Sequence, residues 1–328
     1  MRRALLICGL GLTIGNAVAR TNLAWPPAPL EARVVYVQSI SKPDDFGMKS
    51  SGFRRFSNWL TGAEKENGAL SRPFGIALDE LGNLCVTDTG ANSVSYFDSK
   101  ARRWYRWEEI EKVRFASPVA VAKRGRSLFV ADSALAAVLA FDLHGRLLFQ
   151  IKEGISRPSG LAIGKDRLFV ADAQQHCIAT FDLGGNFVSK FGKRGAGPGE
   201  FNFPTHVAVG ANGSVLVTDS MNSRVQVFDP MGKFQRQIGS VGDGPGHFSR
   251  PKGVAVDSFG HIYVVDALFD NIQVFDEDGR LLMDLGRSGS QPGEFWLPNG
   301  IVISQDNRIY VADSYNGRVQ VLKYIGRP

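Results

Sequence analysis

Cysteine, histidine and long apolar runs are what this chain has least of. It holds 3 Cys and 5 His in 328 residues. Cys8 lies in a leader-like segment, so Cys85 and Cys177 alone bear on the folded part. Each sits inside an apolar run (NLCVTD and HCIATFD) in repeats that are not neighbours. A disulfide needs Cα atoms within ~7 Å, so two free buried thiols are expected. The scarcity of Cys and His excludes a RING and other clustered zinc sites. There is no P-loop, and no Ser-His-Asp spacing or paired catalytic carboxylate stands out. Beyond Ala19 nothing approaches the ~20 apolar residues of a spanning helix. Neither sign of charge is in large surplus: the net charge is +6, or +4 without Arg2 and Arg3. That excess does not by itself imply nucleic acid.

What is present begins with an export signal. Arg2-Arg3 precedes the apolar stretch Ala4–Gly15, and Ala17-Val18-Ala19 forms a small-x-small cleavage site. Residues 1–19 therefore read as a signal peptide, and the mature chain is expected outside the cytoplasm, periplasmic or secreted. Residues 20–32 form a Pro-rich spacer expected to hold the folded part away from what precedes it. Residues 33–70 contain an alternating strand, Arg33–Ile40, that belongs to no repeat, and a helix over Gly52–Gly62. Ser50 or Ser51 caps that helix, and Phe53, Phe56 and Leu60 share one face.

Residues 71–328 repeat. The pattern is clearest in FPTHVAVGANGSVLVTDSMNSRVQVFDPMGKFQRQIG, from Phe203 to Gly239: four short apolar runs separated by Gly, Asn, Asp and Pro. Such runs are strands, and turns this short make them antiparallel. The inner strands start at Gly75, Ala120, Gly160, His206, Gly253 and Gly300. Each second strand ends on an aspartate: Asp88, Asp132, Asp172, Asp219, Asp266 and Asp313, at intervals of 44, 40, 47, 47 and 47 residues. That period with four strands per unit selects a propeller. The last repeat supplies three strands, and an open edge is a liability, so Arg33–Ile40 is expected to complete it. The fold expected is all-β, a six-bladed propeller of four-stranded antiparallel blades closed by its N-terminal strand.

These motifs resemble the NHL-repeat family: an inner Gly-apolar-Ala/Val, then YVxD, then Asn and Arg before VQVFD. They are best met by Val215–Asp229 and Ile309–Val321. The linkers Gly192–Pro204, Gly239–Pro251 and Gly286–Pro298 share G-x-x-G…G-x-F-x-x-P. Ala136-Ala137 and His176-Cys177 depart from the pattern in repeats two and three.

The resemblance implies several activities, and the residues discriminate among them. A lyase-like propeller needs several channel histidines on a metal. Here His206 alone starts an inner strand, while His144, His176, His247 and His261 fall in turns, linkers or strand starts elsewhere. Lactonase-like propellers need channel carboxylates, but the aligned positions are Phe74, Val119, Ser159, Thr205, Lys252 and Asn299. An enzyme is thus the second choice, and no metal or other cofactor is expected. Nucleic-acid binding would use Arg102–Trp107 (RRWYRW), but that run aligns with an outer strand and three glutamates follow closely. The six Asp residues are expected to be structural, accepting loop N–H groups. The candidate site is the propeller end where post-Asp loops meet the inner-strand starts, with His206, Met221, Lys252, Leu268, Phe269, Asn299 and Tyr315. The competing reading folds Phe269 and Tyr315 back onto Phe248 and Phe295. The function expected is a monomeric exported binding or scaffold propeller with a protein or peptide partner.

Overall fold

A computed structural model describes residues 23–48 and 68–326. The helix expected at Gly52–Gly62 and the leader lie outside the described residues. Six antiparallel sheets stand around a central channel. Blade one is Pro73–Leu78, Leu84–Asp88, Ser93–Asp98 and Arg103–Trp107, in sheet order, and blades two to five repeat this order from their own inner strands. Second and third strands carry apolar residues on both faces, and both faces are buried because each blade is sandwiched between two others. IYVVD at Ile262–Asp266 is buried throughout.

Blade six takes Ile301–Ile303, Arg308–Asp313 and Arg318–Tyr324 from the C-terminal end, then Val34–Ile40 as its outer strand. The pairing runs antiparallel from Val34 opposite Tyr324 to Ile40 opposite Val319, with one bulge at Tyr36–Gln38. Closure by the orphan strand is therefore observed. The Pro-rich segment differs from expectation. Ala24–Trp25 forms a fifth strand on the same blade. Arg33 N–H donates to Trp25 O at 2.7 Å, and Trp25 packs against the core between blades five and six. Burying an indole there outweighs the segment's preference for an extended, solvated course.

The core is divided among six seams. Separate buried clusters fill the junctions of blades one and two, two and three, three and four, four and five, five and six, and six and one. The closing strand serves two of them: Val34 enters the five–six cluster and Ile40 the six–one cluster. Tyr105 and Trp107 of the basic-aromatic run stack at 5.8 Å, and Trp107 meets Phe141 of blade two edge-on at 5.3 Å. Those aromatics are packing residues of the first seam. Cys85 and Cys177 are free and buried.

Candidate functional site

Inner strands run from the loop-bearing end of the propeller to the opposite end, so every second strand returns its aspartate to the loop end. All six carboxylates are buried, and they are held in two ways. In blades one, two, three and five the carboxylate accepts backbone N–H groups only. Asp132 takes Ala116 and Ser117, which precede the inner strand, and Ala134 and Leu135 in the following loop. Each such Asp laces two chain segments that would otherwise leave N–H groups unpaired.

Blades four and six replace most of those N–H groups with side chains. Asp219 accepts from Asn202 N at 2.6 Å, Arg224 Nε at 2.8 Å, Asn222 Nδ2 at 2.8 Å and Gln226 Nε2 at 3.2 Å. Arg224 also donates to Gly197 O and Glu200 O of the preceding linker, and Gln226 Oε1 accepts from Gly199 N. Arg318 and Gln320 hold the last linker in the same manner through Gln291 O, Glu294 O and Gly293 N. The Asn/Arg/Gln set and the Gly-rich linker are therefore one device. Blades two and three lack both together, which accounts for the departures at Ala136-Ala137 and His176-Cys177. Within each linker the Phe turns inward. Phe201, Phe248 and Phe295 are wholly buried, and the Phe248 ring lies against Gly239, where an added Cβ would come within 2.2 Å of it.

A channel of about 480 Å³ runs between the inner strands, and His206 lines it. Neighbouring inner strands touch at the glycine positions. Gly253 N–H donates to Asn299 O at 3.0 Å, and a Cβ at Gly253 would fall 2.5 Å from that oxygen. Blade four has His206 at this level. In blade one, Thr87 Oγ1 accepts from Gly75 N and donates to Gly75 O. Its counterpart Thr218, opposite His206, has no partner for Oγ1. Both ring nitrogens of His206, Oγ1 of Thr205 and Oδ1 of Asn299 are likewise sealed from solvent without a hydrogen bond. Burial, with the Lys252 charge second, pushes His206 down to about 3, while the adjacent Asn299 amide acts in the opposite sense. Its imidazole is neutral at ordinary pH. Burial lowers Lys252 to about 8, with Arg250 adding to the effect. Thus Lys252 and Asn299, from the two following blades, both act on the His206 ring, which lines the channel.

The apolar candidates stand in the loops after the second strands, at the same end of the propeller. Met221 is 57% exposed, Leu268 52% and Tyr315 48%, whereas Phe269 is half-buried. Tyr315 does not fold onto Phe295. It lies 5.6 Å from Trp296, with the Arg72 guanidinium 4.8 Å over its ring. Trp296, 53% exposed, is a member that sequence reading missed. So is Phe203, which meets His176 edge-on at 4.7 Å. Phe203 ends its linker just before the next inner strand, and Trp296 stands one residue earlier in its own linker. Comparing linker ends across repeats (Arg72, Ser117, Arg157, Phe203, Arg250, Leu297) would have marked the Phe203 position as variable, but that set does not include Trp296.

The other histidines do not converge on His206. His261 Nδ1 lies 2.8 Å from Asp257 Oδ2 at the opposite end, and His144 lies in a turn. Among the described residues no group of three His, Cys, Asp or Glu side chains gathers to hold a metal.

Residues 154–215 and 210–268 match a family described as a 6-bladed beta-propeller, and residues 295–322 match the NHL repeat. The chain is a six-bladed β-propeller that carries an NHL repeat at its last blade. No curated protein matches it in sequence. Among solved structures the propeller is similar to a streptogramin B lyase, at 14% identity and TM-score 0.57 over 78% of this chain and 94% of that one. It is similar also to the virginiamycin B lyase of Staphylococcus aureus (12%, TM-score 0.58, 80% and 83%). A third is the hydrazine synthase of Kuenenia stuttgartiensis (16%, TM-score 0.56, 77% and 95%). At such identities the likeness is one of fold.

Proposed function

We propose that this propeller is an exported binding protein whose loop-bearing end receives a protein or peptide outside the cytoplasm. The observation that carries the reading is the arc of large apolar side chains on blades four to six, Met221, Leu268, Trp296 and Tyr315, each about half exposed. Turns at these positions are made elsewhere in the chain with Ser133-Ala134 and Thr89-Gly90, so the chain reversal does not require such residues. Clustered exposed apolar groups commonly mark interaction sites. The leader-like pattern of residues 1–19 supports the location. Two of the similar folds are lyases, which makes a metal-dependent lyase or lactonase the alternative. The channel offers that chemistry one histidine, His206, and no carboxylate at the aligned mouth positions.

The test is affinity capture from the extracytoplasmic fraction of the source, using the intact propeller and a Leu268→Ser, Tyr315→Ser double variant. The expected outcome is a partner lost by the variant while its thermal midpoint stays within a few degrees. Retention of the partner, or loss that merely tracks unfolding, would sink the proposal.

A further inference from the structure

At the end of the propeller away from the post-Asp loops, the seam between blades four and five is filled differently from others. In blades one, two and five the outer strand sets Tyr105, Phe149 and Met283 opposite Tyr96, Ala140 and Val274, and each packs into the seam with the next blade. The same register in blade four, opposite Val227, holds Arg236. A guanidinium does not fill that space, and a cavity of about 380 Å³ stands there. Its floor is apolar, with Leu216 and Val227 from blade four and Val256 and Ile262 from blade five. Arg236 reaches across the seam, and its Nη2 donates to Glu277 O. Nε is sealed from solvent without an acceptor, whereas Nη1 is not sealed and has no protein acceptor among the described residues. Glu277 lines the rim, its Oε2 3.9 Å from where a Cβ on Gly260 would stand. The other carboxylates at the cavity are taken. Asp257 is held by His261 Nδ1 at 2.8 Å and Tyr263 OH at 3.1 Å. Asp278 pairs with Arg280 at 2.8 Å, while the Glu277 carboxylate pairs with no cation among the described residues. A cation and an anion thus flank one apolar floor without pairing with each other, although part-buried charges are normally paired.

We infer that this cavity binds a free α-amino acid with an apolar side chain, its carboxylate on Arg236 Nη1, its ammonium on Glu277 and its side chain on the apolar floor. An α-amino acid carries both charges and its side chain on one carbon, so a single small molecule meets two heads at the rim and one body below. A plain carboxylic acid offers Glu277 nothing, and an amine offers Arg236 nothing. A polar side chain would lose its hydration against Leu216, Val227, Val256 and Ile262 without gaining a partner. The volume lies at the small end of the ~300–1,000 Å³ of ligand pockets, which suits one residue better than a peptide. The ligand would bridge blades four and five and stabilise the ring by mass action. The site lies at the opposite end from Leu268 and Tyr315, so it stands apart from the reading of the loop end as a peptide-binding face.

The experiment titrates the intact protein at pH 7 with L-leucine and L-phenylalanine by calorimetry, and follows the thermal midpoint at saturating ligand. At least one of the two is expected to bind saturably and to raise the midpoint. N-acetyl-leucine, which lacks the ammonium, and leucinamide, which lacks the carboxylate, should each bind at least tenfold more weakly than leucine. Arg236→Met should abolish binding, with the fold verified by the midpoint without ligand. Glu277→Gln, at an exposed hairpin position, should weaken leucine at least tenfold and leave N-acetyl-leucine unchanged, which decides the matter even if Arg236→Met perturbs the seam. The Leu268→Ser, Tyr315→Ser variant should bind leucine as the intact protein does. Absence of saturable binding by either amino acid at millimolar concentration overturns the inference. Equal binding of leucine and N-acetyl-leucine overturns it too, reducing the cavity to a carboxylic-acid site. Binding that survives both Arg236→Met and Glu277→Gln lies elsewhere and likewise overturns it.

Discussion

At the scale of single residues, the aspartates look alike in sequence but are held by different chemistry, and their removal should cost different amounts. Asp132→Ala would leave loop N–H groups unpaired at a cost of ~1–3 kcal/mol. Asp219→Ala would also strand the Arg224 guanidinium, whose side chain is 7% exposed beside a fully buried carboxylate. Breaking one partner of a buried pair costs ~3–5 kcal/mol, so urea denaturation should rank Asp219→Ala clearly below Asp132→Ala in stability. Equal losses would mean that Arg224 finds compensation in Gly197 O, Glu200 O and Gln237. His206 gives a prediction in pH. Its folded value is about 3, below the ~6.5 of an unfolded histidine. Between those values the unfolded chain binds the extra proton, so stability falls as pH drops from about 6.5 toward 3. The slope attributable to this residue approaches ~1.4 kcal/mol per pH unit. His206→Gln should flatten the pH dependence of the urea midpoint between pH 6 and 4. An unchanged slope would show that the ring reaches water. Much of this site was legible because the repeat makes departures visible. His206 stands where four repeats have Gly and one Ala, and Lys252 and Asn299 where others are apolar or small. Trp296 was not legible, since in an extended linker Phe295 and Trp296 point opposite ways and nothing local says which is covered.

At the scale of elements, the closing strand was readable from counting: a repeat with three strands leaves an edge, and one unassigned strand can fill it. The fifth strand was not readable, because Trp25-Pro26-Pro27 looks like a spacer and its partner surface exists only after closure. Leu23 and Trp25 lie over Gly293 of the last linker, a contact between the two ends of the chain. Strand Val34–Ile40 should therefore be indispensable. Its removal strips Arg318–Tyr324 of its outer partner and deletes Val34 and Ile40 from two seams. A chain starting after Ile40 is expected to aggregate or to melt far below the intact protein, as measured by light scattering and circular dichroism. Matching midpoints would refute closure by this strand.

At the scale of the whole molecule, closure should decide how the propeller unfolds. Open repeat arrays gain stability from nearest neighbours and can lose it repeat by repeat. Here no blade has a core of its own. Every large cluster is shared between two blades, and the chain of seams returns to its start through Val34 and Ile40. Opening any seam leaves two blades each with one naked face, so unfolding should spread around the ring in one transition. The two free thiols report on this from blades one and three. Cys85 is wholly buried and Cys177 nearly so, and burial pushes both thiols up, Cys177 to about 11, so neither reacts readily in the folded ring. Thiol labelling across a urea series should expose Cys85 and Cys177 at the same midpoint. Ile40→Ala, which empties a site in the six–one seam at a cost of ~2–5 kcal/mol, should move both midpoints down together, although Cys177 lies far from that seam. If Cys85 became reactive at lower urea while Cys177 stayed protected, the seams would be independent and the propeller would behave as an open array.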